Sequence, residues 1–147
     1  MDEDRDAVSV EVLEQHRRLD LLLADVREAF RVGDTHPSAR ESFTFLREAL
    51  ETHFEQEDRL YHPAIWSLRP TQKPALQACV RAHEDFRSML RDIAELLESN
   101  DVTRAAQTFD LLAQGFESHE AAEEAVLAEL DRERTDADHA VQVDPRS

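Results

Sequence analysis

The sequence predicts an all-α protein built as an up-down-up-down antiparallel bundle of four helices. Its 147 residues include only 2 Gly and 5 Pro, so few positions favour tight turns or interrupt a helix. Four segments, each of about 25 residues, repeat apolar residues in steps of three and four, which is the period of an amphipathic helix. The links between these segments are short, so we expect consecutive helices to pack side by side in opposite directions.

The first two predicted helices cover residues 8–32 and 39–62, and each has one apolar stripe. Gly33 can end the first helix, because glycine readily takes the left-handed conformation of a helix C-cap. Pro63 should kink or end the second, because proline lacks an amide hydrogen and clashes with the preceding turn. The stripes consist of Val12, Leu19, Leu23, Val26 and Phe30 in the first helix, and of Phe43, Leu46, Leu50 and Leu60 in the second.

The third and fourth predicted helices follow a break between Pro70 and Pro74. The third runs to about Glu98, and a short turn separates it from the fourth, which covers residues 102–131. Asp101 is a suitable N-cap, because its carboxylate can accept a hydrogen bond from a free amide of the first turn. The stripes consist of Leu76, Phe86, Leu90, Ile93 and Leu97 in the third helix, and of Phe109, Leu112, Phe116, Val126 and Leu130 in the fourth.

The apolar period divides the chain into three parts. We expect residues 1–7 to form an N-terminal arm and residues 8–131 to form the bundle. Residues 132–147 are polar and lose the period, so they have little apolar surface to offset the entropy of ordering. We therefore predict that residues 132–147 form a disordered tail.

Charge and cysteine content exclude several classes of protein. The formal net charge of -16 disfavours binding to nucleic acid and to anionic membrane surfaces. No apolar run approaches the roughly 20 residues that a membrane span needs, and the N-terminus MDEDRDAVSV lacks an apolar signal segment. Cys79 is the single cysteine, so the chain offers no intramolecular disulfide that would indicate an oxidising compartment. We expect a cytoplasmic protein.

Each predicted helix has a His on its apolar side, and the second and fourth helices also have a Glu there. These polar residues are His16, His53, Glu57, His83, His119 and Glu123. In HFEQE (53–57) and HEAAE (119–123) the Glu follows the His by four residues, so both side chains lie on one face. A buried carboxylate without a partner is costly, so a purely structural role for this set is a poor explanation.

A bound cation would turn that cost into a gain, because carboxylates and neutral imidazoles are ligands for iron, manganese and zinc. Six ligands are more than one tetrahedral zinc site uses, and they suit two metals with carboxylates between them. The two halves of the chain also match, since His16 precedes His53 by 37 residues and His83 precedes His119 by 36. We therefore predict two metal ions near the bundle axis, held by two similar helical hairpins.

Three residues near these pairs are further candidate ligands. Tyr61 follows Glu57 by four residues, so it could bind a metal as a phenolate or support a ligand from behind. Cys79 precedes His83 by four residues and shares its face, although a small buried thiol is also common core material. His62 lies nine residues after His53, about half a turn away around a regular helix. We therefore expect His62 to face outward unless Pro63 distorts the helix end.

The order His, His-x-x-x-Glu, His, His-x-x-x-Glu on four helices resembles the hemerythrin-like family, also called HHE cation-binding domains. The resemblance covers about residues 8 to 131 and includes a Leu60-Tyr61 pair before a proline, which here comes one position late because of His62. It implies two iron ions joined by an oxo or hydroxo group, with the four His residues as terminal ligands and the two Glu residues as bridges. The same ligand types also suit manganese and zinc.

The chain departs from oxygen-carrying hemerythrins at one position. Those proteins have a fifth His one turn before the third-helix His, and here that position is Cys79. The missing imidazole disfavours stable, reversible carriage of O2 and favours binding of water, peroxide or NO, or a substitute ligand such as Tyr61. The resemblance as a whole implies a di-iron protein that binds O2 or a related small oxidant for sensing, storage or a stress response. It leaves open a catalase-like or peroxidase-like enzyme acting on hydrogen peroxide, and an iron-handling or NO-response protein. A phosphotransfer bundle would need an exposed His, and a purely structural bundle would leave the six polar residues unexplained.

Overall fold

A computed structural model of the chain describes the backbone of residues 2–32 and 37–142 and the side chains of residues 7–32 and 39–132. These residues are helical almost throughout and contain no β-strand, which confirms the all-α class. The helices are α1 (Asp2–Arg31), α2 (Pro37–Gln56), a π-helix (Glu57–Tyr61), α3 (His62–Leu68), a 3-10 turn (Pro70–Gln72), α4 (Lys73–Glu98) and α5 (Val102–Gln142).

Four long helical stretches pack around one interior, as expected for a helical bundle. Helix α1 packs against α2 and α5, and α4 packs against α5. The alternating up-and-down course of the four stretches stays a prediction from the short links between them. The larger apolar cluster joins buried residues of all four stretches: Leu19, Leu23, Val26, Phe43, Leu46, Leu50, Phe54, Phe86, Leu90, Ile93, Leu97, Ala105, Phe109, Leu112, Ala113 and Phe116.

A second, smaller apolar cluster joins residues of α1, α3, α4 and α5. It consists of Val12, Ile65, Leu76, Val126 and Leu127. Along α1 the residues between the two clusters include His16, along α4 they include His83, and along α5 they include Glu123. The predicted metal ligands therefore form a polar layer between two apolar ones, where few water molecules can compete for them.

The link between α4 and α5 fixes how these two helices face each other. Asn100 has a φ of 60°, a left-handed conformation that asparagine tolerates better than most residues and that commonly ends a helix. The amide of Arg104 then donates to Asp101 Oδ1 at 3.2 Å, which confirms Asp101 as the N-cap of α5. This tight reversal leaves His83 and His119, one on each helix, in contact.

Both ends of the helical region extend beyond the predicted limits. Helix α1 begins at Asp2, so most of the predicted arm of residues 1–7 is helical, and α5 continues to Gln142 instead of ending near Asp131. Neither extension contains Gly or Pro, so nothing in these segments interrupts the backbone hydrogen bonds when the apolar period stops. The remainder of the predicted tail, residues 143–147, and Gly33 lie outside the described residues.

The π-helix explains why one predicted core residue is wrong. Leu60 was expected on the apolar stripe of the second helix, yet its side chain is 59% exposed. A π turn takes one residue more than an α turn, so the positions within and after it rotate relative to a regular helix.

Within the described part of the chain, no helix is long and apolar enough to cross a membrane.

Candidate metal centre

All six predicted ligands are buried in the polar layer between the two apolar clusters. His83 is 0% exposed and Glu57 is 1% exposed, so these two are among the least accessible side chains of the molecule. The polar residues that the sequence places on the apolar side of each helix therefore do lie in the interior. The buried set is His16, His53, Glu57, His83, His119 and Glu123.

The six side chains form two groups that share both carboxylates. In each group the candidate ligand atoms all lie within 4.8 Å of one another. The groups are His16, His53, Glu57 and Glu123, and Glu57, His83, His119 and Glu123. Because Glu57 and Glu123 belong to both, the arrangement suits two neighbouring cations with carboxylates between them.

The sharing is visible in the individual distances. Glu57 Oε1 lies 2.8 Å from His53 Nε2 and 3.3 Å from His83 Nε2. Glu123 Oε1 lies 3.2 Å from His16 Nε2 and 3.3 Å from His119 Nε2. The Oε1 atom of each carboxylate therefore faces one imidazole from each group.

One of these contacts does not satisfy the atoms that make it. His53 Nε2 and Glu57 Oε1 are close, yet among the described residues neither has a partner in hydrogen-bond geometry. His83 Nε2 and His119 Nε2 are 3.0 Å apart, so both nitrogens are near enough to bind the same cation. Buried polar atoms normally have a hydrogen-bond partner. Ligand atoms that converge without one therefore fit a cation that all of them could bind.

The electrostatics of the centre reflect burial set against close side-chain contacts. Burial alone would raise the pKa of Glu57, but contacts with Glu123 and with three imidazoles outweigh it and hold the pKa well below its usual range. Burial alone would lower the pKa of His16, yet its contact with Glu123 raises it. For His119 burial prevails and the pKa is lowered, which favours the neutral imidazole that a metal needs.

Asp58 orients His83 from behind. Its Oδ1 lies 2.8 Å from His83 Nδ1, so the carboxylate accepts a hydrogen bond from the Nδ1–H group, and Nε2 keeps its lone pair toward the centre. Arg87 Nη2 donates to the other carboxylate oxygen at 3.3 Å. A carboxylate behind a histidine is a common support for metal ligands. In the sequence, only the position of Asp58 next to Glu57 indicates this role.

Gln15 supports His53 in the same way. Its Oε1 lies 2.6 Å from His53 Nδ1, and its Nε2 donates to Gln56 Oε1 at 2.9 Å and to Tyr61 Oη at 3.1 Å. Tyr61 is therefore linked to His53 through Gln15, which supports the indirect role among its two predicted roles. Gln15 and His53 also line an open groove of about 600 Å³ between α1 and α2. No pattern in the sequence indicated Gln15 beyond its position next to His16.

Glu120 is a third group that the sequence did not indicate. Its side chain is buried, and its Oε2 lies 3.7 Å from His16 Nδ1. Burial, together with the neighbouring Asp20 carboxylate, raises the pKa of Glu120 to about 9. Its position after His119 placed it off the apolar stripe, so only the packing of α1 against α5 brings it to His16.

Aromatic rings enclose the centre on the side of the larger cluster. Phe54 stacks on His83 with ring centroids 4.5 Å apart, and the Phe116 ring lies 6.3 Å from His53 and 6.0 Å from His119. Both Phe side chains are 0% exposed. They restrict the imidazole orientations and exclude water from this side of the centre.

The predicted outward orientation of His62 is wrong. His62 is buried, its Nε2 lies 2.9 Å from Glu123 Oε2, and the same nitrogen is 3.5 Å from Glu57 Oε2. The π-helix Glu57–Tyr61 adds one residue to the turn before it, which rotates His62 from the outer face to the interior. The late proline at position 63 was the only sequence signal of this distortion.

Cys79, the third further candidate, is also buried beside the centre. Its Sγ lies within 4.8 Å of ligand atoms of His62 and Glu123. Burial, and then the nearby carboxylates, raise the pKa of Cys79 to about 12, so the thiol keeps its proton. Val80, the next residue along α4, is 39% exposed, so of these two neighbours only Cys79 faces the interior.

A small cavity of about 10 Å³ lies next to this group, about the space that one water-sized molecule needs. Apolar side chains of the smaller cluster line one side of it, and Glu57, His62, Cys79 and Glu123 line the other. The centre therefore has one face toward which a small molecule could bind.

Comparison with known proteins gives one match. The family model described as hemerythrin HHE cation binding domain matches residues 8–130, which include every residue of the two groups. No curated protein and no solved structure was found to match the chain.

Proposed function

Because the chain belongs to the hemerythrin HHE cation-binding family, we propose that it holds two iron ions and binds O2 or a related small oxidant at them. The observation that carries this proposal is the sharing of Glu57 and Glu123 between two groups of buried ligands. A single cation would need only one of the groups.

In this proposal His16 and His53 would hold one iron, and His83 and His119 would hold the other. Glu57 and Glu123, which belong to both groups, would be shared by the two. Imidazole and carboxylate ligands suit iron, and they also suit manganese and zinc, so family membership is the reason for proposing iron. Bound iron would supply the electrons that a small oxidant such as O2 takes up.

The protein's own residues define which molecules reach the centre. Buried Phe54 and Phe116 close one side, and the cavity of about 10 Å³ beside Cys79 is the space on the other. A cavity of this size suits a diatomic molecule or a peroxide better than an organic substrate. Gln15 holds the imidazole of His53 in one tautomer, and Asp58 does the same for His83, so these two ligands are preorganised.

The proposal is tested by optical spectra of the reduced, iron-loaded protein before and after exposure to O2. Reversible spectral change on oxygenation and deoxygenation supports oxygen binding. A protein that takes up no metal, and whose thermal stability does not respond to metal, contradicts the proposal. Repeating the exposure with NO separates oxygen binding from an NO response, and release of iron to a chelator on oxidation would favour iron handling.

A second candidate is a catalase-like or peroxidase-like enzyme. Cys79 favours it, because this residue occupies the position of a fifth His in the oxygen-carrying members that the sequence resembles. If no other side chain took the place of that imidazole, bound iron would have a coordination position for hydrogen peroxide. Turnover of hydrogen peroxide that is lost in Glu57→Ala and kept in Glu55→Ala, an exposed neighbour on α2, would support the enzyme.

The proposed surroundings of the protein follow from charge and cysteine content. A net charge of -16 supports a role without nucleic-acid or membrane partners. The lone Cys79 supports a reducing, cytoplasmic environment, where a buried thiol beside iron would persist. Cell fractionation tests the location.

A further inference from the structure

The junction between α2 and α3 contains a helical distortion that moves one histidine into the candidate metal centre. Glu57–Tyr61 form a π-helix between two α-helical segments, and the backbone on both sides stays helical. In an uninterrupted α-helix His62 would lie about half a turn from His53 and face solvent. With the π turn it is 6% exposed. Distortions of this kind are frequent at functional sites.

His62 approaches the two carboxylates from the side that the other imidazoles leave free. The Oε1 atoms of Glu57 and Glu123 face the four other histidines. His62 Nε2 instead faces the Oε2 atoms, at 2.9 Å from Glu123 and 3.5 Å from Glu57. Its ring stacks on His83 with centroids 5.6 Å apart and an interplanar angle of 16°. A fifth imidazole nitrogen therefore points at the same pair of carboxylates.

The position that His62 reaches is the one beside Cys79. His62 Nε2, Cys79 Sγ and a Glu123 oxygen all lie within 4.8 Å of one another. Imidazole is the commonest metal ligand among side chains, and its nitrogen here is aimed at the carboxylates that the other imidazoles share. His62 also lines the small cavity together with Glu123 and Cys79. An imidazole here stands where an external small ligand would have to bind.

We propose that His62 is a fifth histidine ligand of the metal pair, supplied by the π turn at the position that Cys79 leaves without an imidazole. It competes with external small ligands for that position, so the centre binds such ligands only when His62 has moved away. This inference rests on the proposed function, because it needs a bound metal pair.

The first test counts the coordinated imidazoles in the iron-loaded wild-type protein by NMR. A histidine bound through Nε2 keeps its Nδ1 proton, and nearby iron shifts that signal far from the ordinary range. Of the 7 histidines, five should give such shifted signals, and His62→Leu should lack one of them. Four shifted signals in the wild-type protein would overturn the inference. This measurement on the wild type does not depend on whether the variant folds.

The second test measures azide affinity, with azide as a small anionic probe. If the position is open in only about a tenth of the molecules, the apparent affinity falls tenfold, so His62→Leu should bind azide roughly tenfold more tightly. Leu60→Ala, an exposed change within the same π-helix, should leave azide affinity unchanged. Unchanged or weaker azide binding in His62→Leu would overturn the inference, since weaker binding would mean that His62 donates a hydrogen bond to the probe.

Metal content separates this inference from the proposed function. Both the wild type and His62→Leu should hold two irons, because six ligands remain in the variant. A wild-type protein without two irons contradicts the proposed function itself. Two irons with only four coordinated imidazoles contradict the role of His62 alone.

Discussion

The Oδ1 atom of Asp58 lies 2.8 Å from Nδ1 of His83, so the residue that follows a proposed bridging carboxylate holds a proposed terminal ligand. Glu57 and Asp58 are neighbours in the π-helix, yet one faces the centre and the other supports it from behind. One turn of helix thereby connects the two parts of the site. Substitution of Glu57 should remove a shared ligand, whereas substitution of Asp58 should weaken metal binding through His83.

Asp58→Asn should weaken metal binding without removing a ligand. The amide loses the negative charge that favours the Nδ1-protonated tautomer of His83, and such supporting groups are commonly worth about 10–100-fold in metal affinity. Competition with a chelator of known affinity measures this loss. Asp85→Asn, an exposed change on α4, is the matched control and should leave the affinity unchanged. Equal affinities for the two variants would contradict a supporting role for Asp58.

Glu123→Gln should reduce the metal content of the chain. An amide is a poorer ligand than a carboxylate and cannot bridge two cations in the same way. Because Glu123 belongs to both groups, we expect fewer than two irons per chain and loss of the iron absorption bands. Glu124→Gln changes the next residue, which is exposed, and should keep both. Full metal content in Glu123→Gln would argue against a bridging role.

Removal of metal should lower the thermal stability of the protein. A ligand that binds only the folded state stabilises it by about 2.7 kcal/mol at a free concentration of a hundred times Kd. For a domain of this size, 1 kcal/mol corresponds to roughly 2–4 °C, so the midpoint should fall by several degrees. Calorimetry with and without a chelator measures the change. His53→Ala should show a smaller shift, and an equal shift would mean that the metal binds elsewhere.

Phe116→Ala should destabilise the folded protein strongly. The ring is fully buried and contacts the rings of His16, His53 and His119, so truncation leaves a cavity beneath the ligands. A buried Phe→Ala change typically costs about 3–5 kcal/mol in the free energy of unfolding. Phe45→Ala removes an exposed ring and should cost about 0.5 kcal/mol or less. Denaturant unfolding of the metal-free proteins compares them, and similar costs would contradict the packing described for Phe116.

The sequence alone predicted the all-α class, the main apolar stripes and the burial of the six polar residues on the apolar sides of the helices. These features depend on helical periodicity, which is read directly from the order of residues. Periodicity could not give the orientation of four other side chains: His62, Leu60, Gln15 and Glu120. His62 and Leu60 depend on a π turn that changes the period locally, and Gln15 and Glu120 depend on which neighbouring helix packs against them.

Mössbauer spectroscopy of the iron-loaded protein shows whether Glu57 and Glu123 hold two irons as one coupled pair. We expect two ferric ions per chain whose spins cancel, since bridged irons are magnetically coupled. Loss of that coupling is expected in Glu123→Gln and not in Glu124→Gln. Irons that behave as isolated ions in the wild-type protein, or a protein that retains no iron, would contradict a pair held by Glu57 and Glu123.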